Sequence, residues 1–226
     1  QQNRQGACRM TQKERQERSR EEIYQAALNE FGTHGYGNVN MERICGNHGI
    51  SKGMMYHYYS GKDELFLLCV ERTFAELKAC VEQELPRLEN CTTPDAVREF
   101  FLIREAYFQS HPLQKTIFES AMLRPPKHLT ESIHTLRAPI RQLNQRFIEK
   151  LVIRMPLRAD LQPERVIRYL ESVEPYFQNI LRSYQAAALA QDSHTMLKTA
   201  GELLDMALFG ILRQDGDPDA FPAKQV

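Results

Sequence analysis

Residues 38–65, which read NVNMERICGNHGISKGMMYHYYSGKDEL, constrain the fold more than any other part of the chain. Asn40 can cap a helix, because its side-chain oxygen can accept a hydrogen bond from a backbone amide of the first turn. Met41 and Ile44 then recur at helical spacing and give this helix an apolar face. Gly49 stands where the chain must reverse, since glycine reaches positive φ without steric cost. The pattern predicts a short helix followed by a tight turn.

A second short helix follows the turn and carries an unusual run of aromatic rings. Ser51 can cap it, and residues 56–59, Tyr-His-Tyr-Tyr, form its end. Such a helix has little aliphatic surface for a core, whereas phenol and imidazole groups hydrogen-bond phosphate and their flat faces pack on sugars or thymine methyl groups. Two short helices around a glycine turn form a helix-turn-helix, in which the second helix lies in the major groove of DNA. Topology alone also permits an ordinary helical hairpin.

The pattern GISKGMMYHYYSGKDEL resembles the DNA-reading segment of the TetR family of bacterial transcriptional regulators. The preceding EEIYQAALNEFGTHGYGNVNMERI resembles that family's first helix and its Phe-x-x-x-Gly-Tyr exit. Together these stretches cover roughly the first quarter of the chain. The resemblance implies a sequence-specific DNA-binding transcriptional regulator. We expect a ligand-responsive repressor that acts as a homodimer on a palindromic operator of double-stranded DNA.

By resemblance, eight residues are expected to contact base edges or phosphates, or to lie where the helix approaches the bases: Asn40, Ser51, Lys52, Gly53, Met54, Tyr56, His57 and Lys62. Tyr58 and Tyr59 are expected to pack inward and fix the angle of the helix. The chain departs from the family pattern at Met41, where the family often has threonine, and this makes a phosphate contact there doubtful. Met54 replaces the usual small polar residue, so it either rests on a thymine methyl group or weakens base readout.

Charge is distributed unevenly along the chain. The net charge is zero, but residues 1–62 hold nine lysines and arginines against six glutamates, or +3, which leaves −3 for the rest. Such an asymmetry favours an anionic partner for the N-terminal part. No apolar run approaches the roughly 20 residues of a membrane span, and no signal peptide is visible. We therefore expect a cytoplasmic protein without membrane contact.

No residue pattern indicates catalysis, a cofactor or a metal site. The sequence shows no nucleophile elbow, no phosphate-cradling glycine loop and no metal-ligand spacing among its five cysteines. We expect no enzyme and no cofactor, and a helical adaptor without DNA readout remains the rival to a regulator. Cys69 and Cys80 would share a helix face. They could act there as a thiol sensor, or they could be small buried side chains.

The remaining chain predicts further helices punctuated by prolines. Pro86 is expected to end a long helix from about residue 63, Thr93 to cap the next, and Pro139 to kink a helix over 130–153. The expected fold is all-α, with an N-terminal three-helix helix-turn-helix domain, a larger C-terminal helical ligand-binding and dimerisation domain, and about nine helices. The expected domain limits are 1–12 for a flexible basic arm, 13–62 for the helix-turn-helix, 63–214 for the helical domain and 215–226 for a polar tail.

The C-terminal part should bind a ligand and a second subunit. Its aromatic side chains either line a cavity or pack an ordinary core. The candidate ligand contacts are Phe101, Tyr107, Phe108, His111, Phe118 and Met122. The apolar arc of a last helix over 193–212 is too wide for one buried side. The last two helices are therefore expected to form a homodimer interface, with a fully buried monomeric helix as the alternative, and the small-molecule effector is unknown.

Overall fold

The computed structural model describes residues 10–170 and Ser172, and the regular elements in this part are helices. They are α1 (Gln12–His34), α2 (Met41–His48), α3 (Lys52–Tyr58), α4 (Lys62–Leu88), α5 (Thr93–Ser110), α6 (Pro112–Met122), α7 (Thr130–Leu136) and α8 (Ala138–Arg154). Short 3₁₀ turns cover Tyr36–Asn38 and Lys127–Leu129, and residues 163–170 are again helical. The predicted all-α class with an N-terminal helix-turn-helix is confirmed. Among these described helices, none is both long and apolar enough to cross a membrane.

The first compact unit contains the described residues up to Thr73 together with Pro112–Ile133. It therefore includes α6 as well as the helix-turn-helix. Its core is built from side chains with no exposed surface on α1, α2, α3, α4 and α6: Ile23, Ala27, Phe31, Ile44, Met55, Leu65, Phe66 and Ile117. The expected domain limits stay a prediction.

The second compact unit contains Phe74–His111 and the described residues from His134 onward. The second part of α4, helix α5 and helix α8 supply its buried apolar side chains, which include Leu77, Val81, Leu88, Val97, Phe100, Phe108, Leu143, Phe147 and Leu151. Of the two helices expected to form the dimer interface, the first is described only at its start, residues 163–170, and the last, over 193–212, lies outside the described residues.

The predicted end of α4 at Pro86 is wrong. The helix continues through this proline to Leu88. A proline removes one hydrogen bond from a helix, but Pro86 is exposed and stands two residues before the end. The helix therefore loses little by including it.

Two further expectations about helix starts are also wrong. The cap of α5 is Thr92 rather than Thr93, because the Thr92 Oγ1 accepts the amide hydrogen of Asp95 at 3.4 Å. The expected kinked helix over 130–153 is two helices, α7 and α8. Pro139 stands in the first turn of α8, where the missing amide would be unbonded anyway, so it opens a helix instead of bending one.

Candidate nucleic-acid interface

Helix α3 is fixed on one side and exposed on the other. The Ser51 Oγ caps it by accepting the amide hydrogen of Met54 at 3.1 Å. Met55 is fully buried and anchors the helix, whereas Tyr56 is 54% exposed. His57 is also exposed. The aromatic end of α3 is therefore accessible to a partner.

The turn between α2 and α3 has the geometry that the sequence predicts. Asn40 begins α2, and its side-chain oxygen accepts the amide hydrogen of Arg43 at 2.8 Å. Gly49 adopts φ 65° and ψ 22°, a left-handed conformation that favours glycine. Ile50 is 8% exposed and closes the turn from inside. Both predicted caps and the glycine turn are confirmed.

A buried carboxylate outside the predicted contact residues holds α2 against α1. Glu30 is 3% exposed, and it accepts hydrogen bonds from Arg43 Nε at 2.6 Å and Asn47 Nδ2 at 2.7 Å. His48 Nε2 lies 3.3 Å from Glu30 Oε1. Burial raises the pKa of Glu30, but the hydrogen bonds from Asn47 and Arg43 outweigh burial and hold the pKa below its ordinary value. The ionised side chain therefore fixes how α2 packs on α1.

Lys52 is exposed and forms an ion pair with Glu42. The distance from Lys52 Nζ to Glu42 Oε1 is 2.7 Å, and the two side chains are 64% and 72% exposed. The hydrogen bond between them raises the pKa of Lys52 and lowers the pKa of Glu42. Solvent screens a pair this exposed, so the pair is weak. A phosphate can therefore compete with Glu42 for the lysine, and the neighbouring Gly53 has open space beside it.

A network around Tyr36 orients Lys62. The Lys62 Nζ lies 4.0 Å from the centroid of the Tyr36 ring, a cation–π contact. The Tyr36 hydroxyl donates to Asp63 Oδ1, and His128 Nε2 lies 2.9 Å from Asp63 Oδ2. Burial and the Asp63 carboxylate raise the pKa of Tyr36 to about 12, so its hydroxyl remains a donor. The network fixes the start of α4, where Lys62 is half-buried.

The remaining side chains of α3 are partly covered. Met54, Tyr58 and Tyr59 are half-buried. The Arg20 guanidinium lies 5.6 Å from the centroid of the Tyr58 ring, and burial raises the pKa of Tyr59. The eight predicted contact residues lie on α3, at the caps of α2 and α3 and at the start of α4, all within the first unit. Their contact with DNA stays a prediction.

The predicted ligand contacts are divided between the two units. Four belong to the second unit and two, on α6, to the first: Phe101, Tyr107, Phe108 and His111, then Phe118 and Met122. Tyr107 stacks on His111 with ring centroids 4.4 Å apart, and both line an open cavity of about 460 Å³ within the second unit. The Tyr107 hydroxyl donates to Glu76 at 3.0 Å. The ligand role of these residues also stays a prediction.

The cysteines on α4 are poorly suited to reaction as thiolates. Burial raises the pKa of Cys69 to about 12, and burial also raises the pKa of Cys80. Because the thiolate is the reactive form, this environment favours the small-side-chain interpretation of Cys69 over a thiol sensor.

The helix-turn-helix defines the class of protein. Residues 23–69 match the sequence model described as "Bacterial regulatory proteins, tetR family". This segment runs from the apolar part of α1, through both helices of the motif, into α4. Residues 23–69 are therefore a domain of the kind that this family of bacterial regulatory proteins shares.

Among known proteins, the chain is similar to the HTH-type transcriptional repressor NicS of Pseudomonas putida. The two are 29% identical over 122 residues, which cover 54% of this chain and 56% of NicS. The match thus spans about half the length of that relative.

Among solved structures, a tetR-family regulator from Rhodococcus RHA1 gives a TM-score of 0.55 at 16% identity, covering 87% of this chain and 98% of that one. NalD, the secondary repressor of the MexAB-OprM multidrug efflux pump in Pseudomonas aeruginosa, gives 0.54 at 18% identity, covering 89% of this chain and 100% of that one. At these identities the likeness concerns the fold.

Proposed function

We propose that the chain is a transcriptional repressor that binds double-stranded operator DNA in the bacterial cytoplasm and releases it when a small-molecule effector binds. The observation that carries the proposal is the geometry of α3, which is anchored by buried Met55 and exposes Tyr56 and His57. Exposed phenol, imidazole and ammonium groups suit phosphate oxygens and base edges. The match of residues 23–69 to the tetR family model supports DNA binding, and two similar proteins are named as repressors.

A helix as short as α3 can become selective for one DNA sequence when the protein acts as a homodimer. One copy of α3 spans seven residues and can touch few base pairs. Two copies related by a two-fold axis would enter successive major grooves about 34 Å apart, which requires a palindromic operator. The proposed interface is formed by the last two helices, which lie outside the described residues except for the start of the first, residues 163–170.

Lys52 provides the sharpest test of the interface. Because its partner Glu42 is exposed and the pair is weak, we expect Lys52 to exchange the carboxylate for a phosphate on binding. Each phosphate contact contributes a slope of about −0.9 to the dependence of log affinity on log salt concentration. Lys52→Ala removes one contact per subunit and should flatten the slope of a dimer by about 1.8.

The experiment measures fluorescence anisotropy of labelled operator, selected from mixed genomic fragments, with the full-length protein at several salt concentrations. Lys150→Ala is the matched control, because Lys150 forms a similar exposed pair with Glu89 at 2.9 Å but belongs to the second unit. We expect the control to keep the wild-type slope. An unchanged slope for Lys52→Ala would remove Lys52 from the interface, and binding without any salt dependence would favour an adaptor over a DNA reader.

A further inference from the structure

The second unit contains a cavity with an apolar floor. Its volume is about 210 Å³, and it lies among the last turns of α4, the start of α5 and the second half of α8. The floor is formed by buried side chains: Leu88, Ala96, Leu143, Phe147 and Leu151. A dry cavity of about 150 Å³ holds benzene. This one is therefore large enough for an apolar body of about eight carbon atoms.

The rim of the same cavity is basic. Arg146, Lys150 and Arg154 follow one another at every fourth residue of α8, so they share one face of the helix. Two lining carboxylates oppose them: Glu89 lies 2.9 Å from Lys150, and Glu82 lies 4.0 Å from Arg146. Three cations against two carboxylates leave an excess of positive charge.

Arg154 is the cation best placed to receive a ligand. Its Nη2 donates to the backbone carbonyl of Cys91 at 3.0 Å, and no carboxylate among the described residues forms an ion pair with it. The carbonyl orients the guanidinium without neutralising it. An arginine in this state presents further N–H donors to an incoming carboxylate.

A buried cation adds to the positive field near the floor. Arg104 is 6% exposed, and its guanidinium carbon lies 3.7 Å from the centroid of the Phe100 ring. Phe100 stacks on the lining residue Phe147 with centroids 3.9 Å apart. Burial lowers the pKa of Arg104 to about 9, so it remains charged at neutral pH. Low-dielectric surroundings screen such a charge weakly.

We propose that this cavity binds a compact anionic amphiphile, a monocarboxylate whose apolar body packs on Phe147 and Leu143 while its carboxylate meets Arg154. As an identification of the effector, the inference rests on the proposed function as a ligand-responsive repressor. The basic rim argues against a cationic ligand, and the apolar floor argues against a small polar acid.

The test compares three probes of eight carbon atoms each that differ in the head group: octanoate, 1-octanol and protonated octylamine. Isothermal titration calorimetry with the full-length protein should show octanoate binding about tenfold more tightly than octanol, since a charge-assisted hydrogen bond contributes about 1.5 kcal/mol or more. Octylammonium should bind more weakly than octanol. Equal binding of octanoate and octanol, or a preference for octylammonium, would overturn the proposal.

Variants locate the site. Arg154→Gln should weaken octanoate binding about tenfold and leave octanol binding unchanged, because one charged donor is lost and the floor is intact. Ala96→Leu should weaken both probes by filling the floor. Arg158→Gln is the control, because Arg158 pairs with Asp160 at 2.8 Å and does not line the cavity. Octanoate binding that survives Arg154→Gln, or that falls equally in the control, would overturn the assignment.

Operator binding, measured on the same protein without octanoate, separates this inference from the proposed function. Salt-dependent DNA binding by a protein that does not bind octanoate overturns the inference and leaves the repressor proposal standing. Octanoate binding by a protein that binds no DNA overturns the repressor proposal and supports the anion site.

Discussion

Replacement of Gly32 by alanine should force α6 away from α1. Gly32 is buried within α1, and an added Cβ would lie 2.7 Å from Leu113 Cβ and 2.9 Å from Leu113 Cα. Carbon atoms in contact are normally about 3.5–4.0 Å apart, so α6 would have to shift by roughly 1 Å. Because one of the opposing atoms is backbone, rotation of the leucine side chain cannot relieve the overlap.

The expected loss follows from two opposing effects. Overpacking of this kind destabilises a protein by about 1–3 kcal/mol. Because the overlap involves backbone, the overpacking cost of Gly32→Ala should lie at or slightly above the upper end of this range. Alanine in place of glycine inside a helix stabilises by about 1 kcal/mol. The net change is a destabilisation of about 2 kcal/mol, which lowers the Tm of a chain of this length by about 4–8 °C.

Gly46 provides the matched control for this substitution. It is exposed within α2, and an added Cβ would meet nothing within 4 Å. Gly46→Ala should therefore stabilise by about 0.5–1 kcal/mol through helix propensity alone. Thermal unfolding followed by circular dichroism should move the two variants in opposite directions. A Gly32→Ala protein as stable as the wild type, or a loss of similar size in both variants, would show that close packing of α6 does not depend on Gly32.

Three other substitutions test the interface and the buried charges. Ser51→Ala removes the cap of α3, so it should cost about 1 kcal/mol and weaken operator affinity in the anisotropy assay. Glu30→Gln should destabilise by about 2 kcal/mol in urea unfolding, since charged hydrogen bonds from Arg43 and others are lost. The pKa of Glu30 is lower in the folded protein than its ordinary value of 4.5. The stability that the ionised Glu30 contributes is therefore fully present above pH 4.5 and is lost as the pH falls through the folded pKa. Acid destabilisation below about pH 4.5 should be smaller in Glu30→Gln. Arg104→Met should raise stability by about 1–2 kcal/mol while it weakens octanoate binding.

The sequence predicted the helix-turn-helix well because its determinants are local. Asn40 bonds to the amide of Arg43 and Ser51 to the amide of Met54, each three residues away. Gly49 needs only its own backbone to form the turn. A capping residue and a glycine can therefore be interpreted without knowledge of the rest of the fold.

The contacts that support this motif could not be predicted, because they join residues far apart in the chain. Glu30 meets Asn47, and His128 meets Asp63 across 65 positions. The signal available for Glu30 was a charged residue among the apolar residues of α1, which indicates a buried carboxylate but not its partners. No local pattern predicted that α6 packs against α1, since this contact requires Leu113 to pack directly on Gly32.

The cavity of about 210 Å³ in the second unit was missed for a related reason. Arg146, Lys150 and Arg154 have the spacing of a solvated helix face, and the sequence does not show that Ala96 and Leu88 lie beside them. The aromatic residues predicted as ligand contacts could equally pack a core. Composition indicates that apolar side chains are buried, whereas the position of a cavity depends on how three helices meet.

Glu30 and Arg104 are the buried charged side chains in the described part of the chain, and the fold surrounds them differently. Glu30 receives the charged Arg43 and the amide of Asn47. Among the described residues, Arg104 donates to neutral groups alone, the Phe100 carbonyl and the Asn144 side chain. An ion taken out of water loses several kcal/mol of solvation unless opposite charge replaces it. The carboxylate is compensated and holds α2 against α1, while the guanidinium leaves a positive field that an anion in the neighbouring cavity would neutralise.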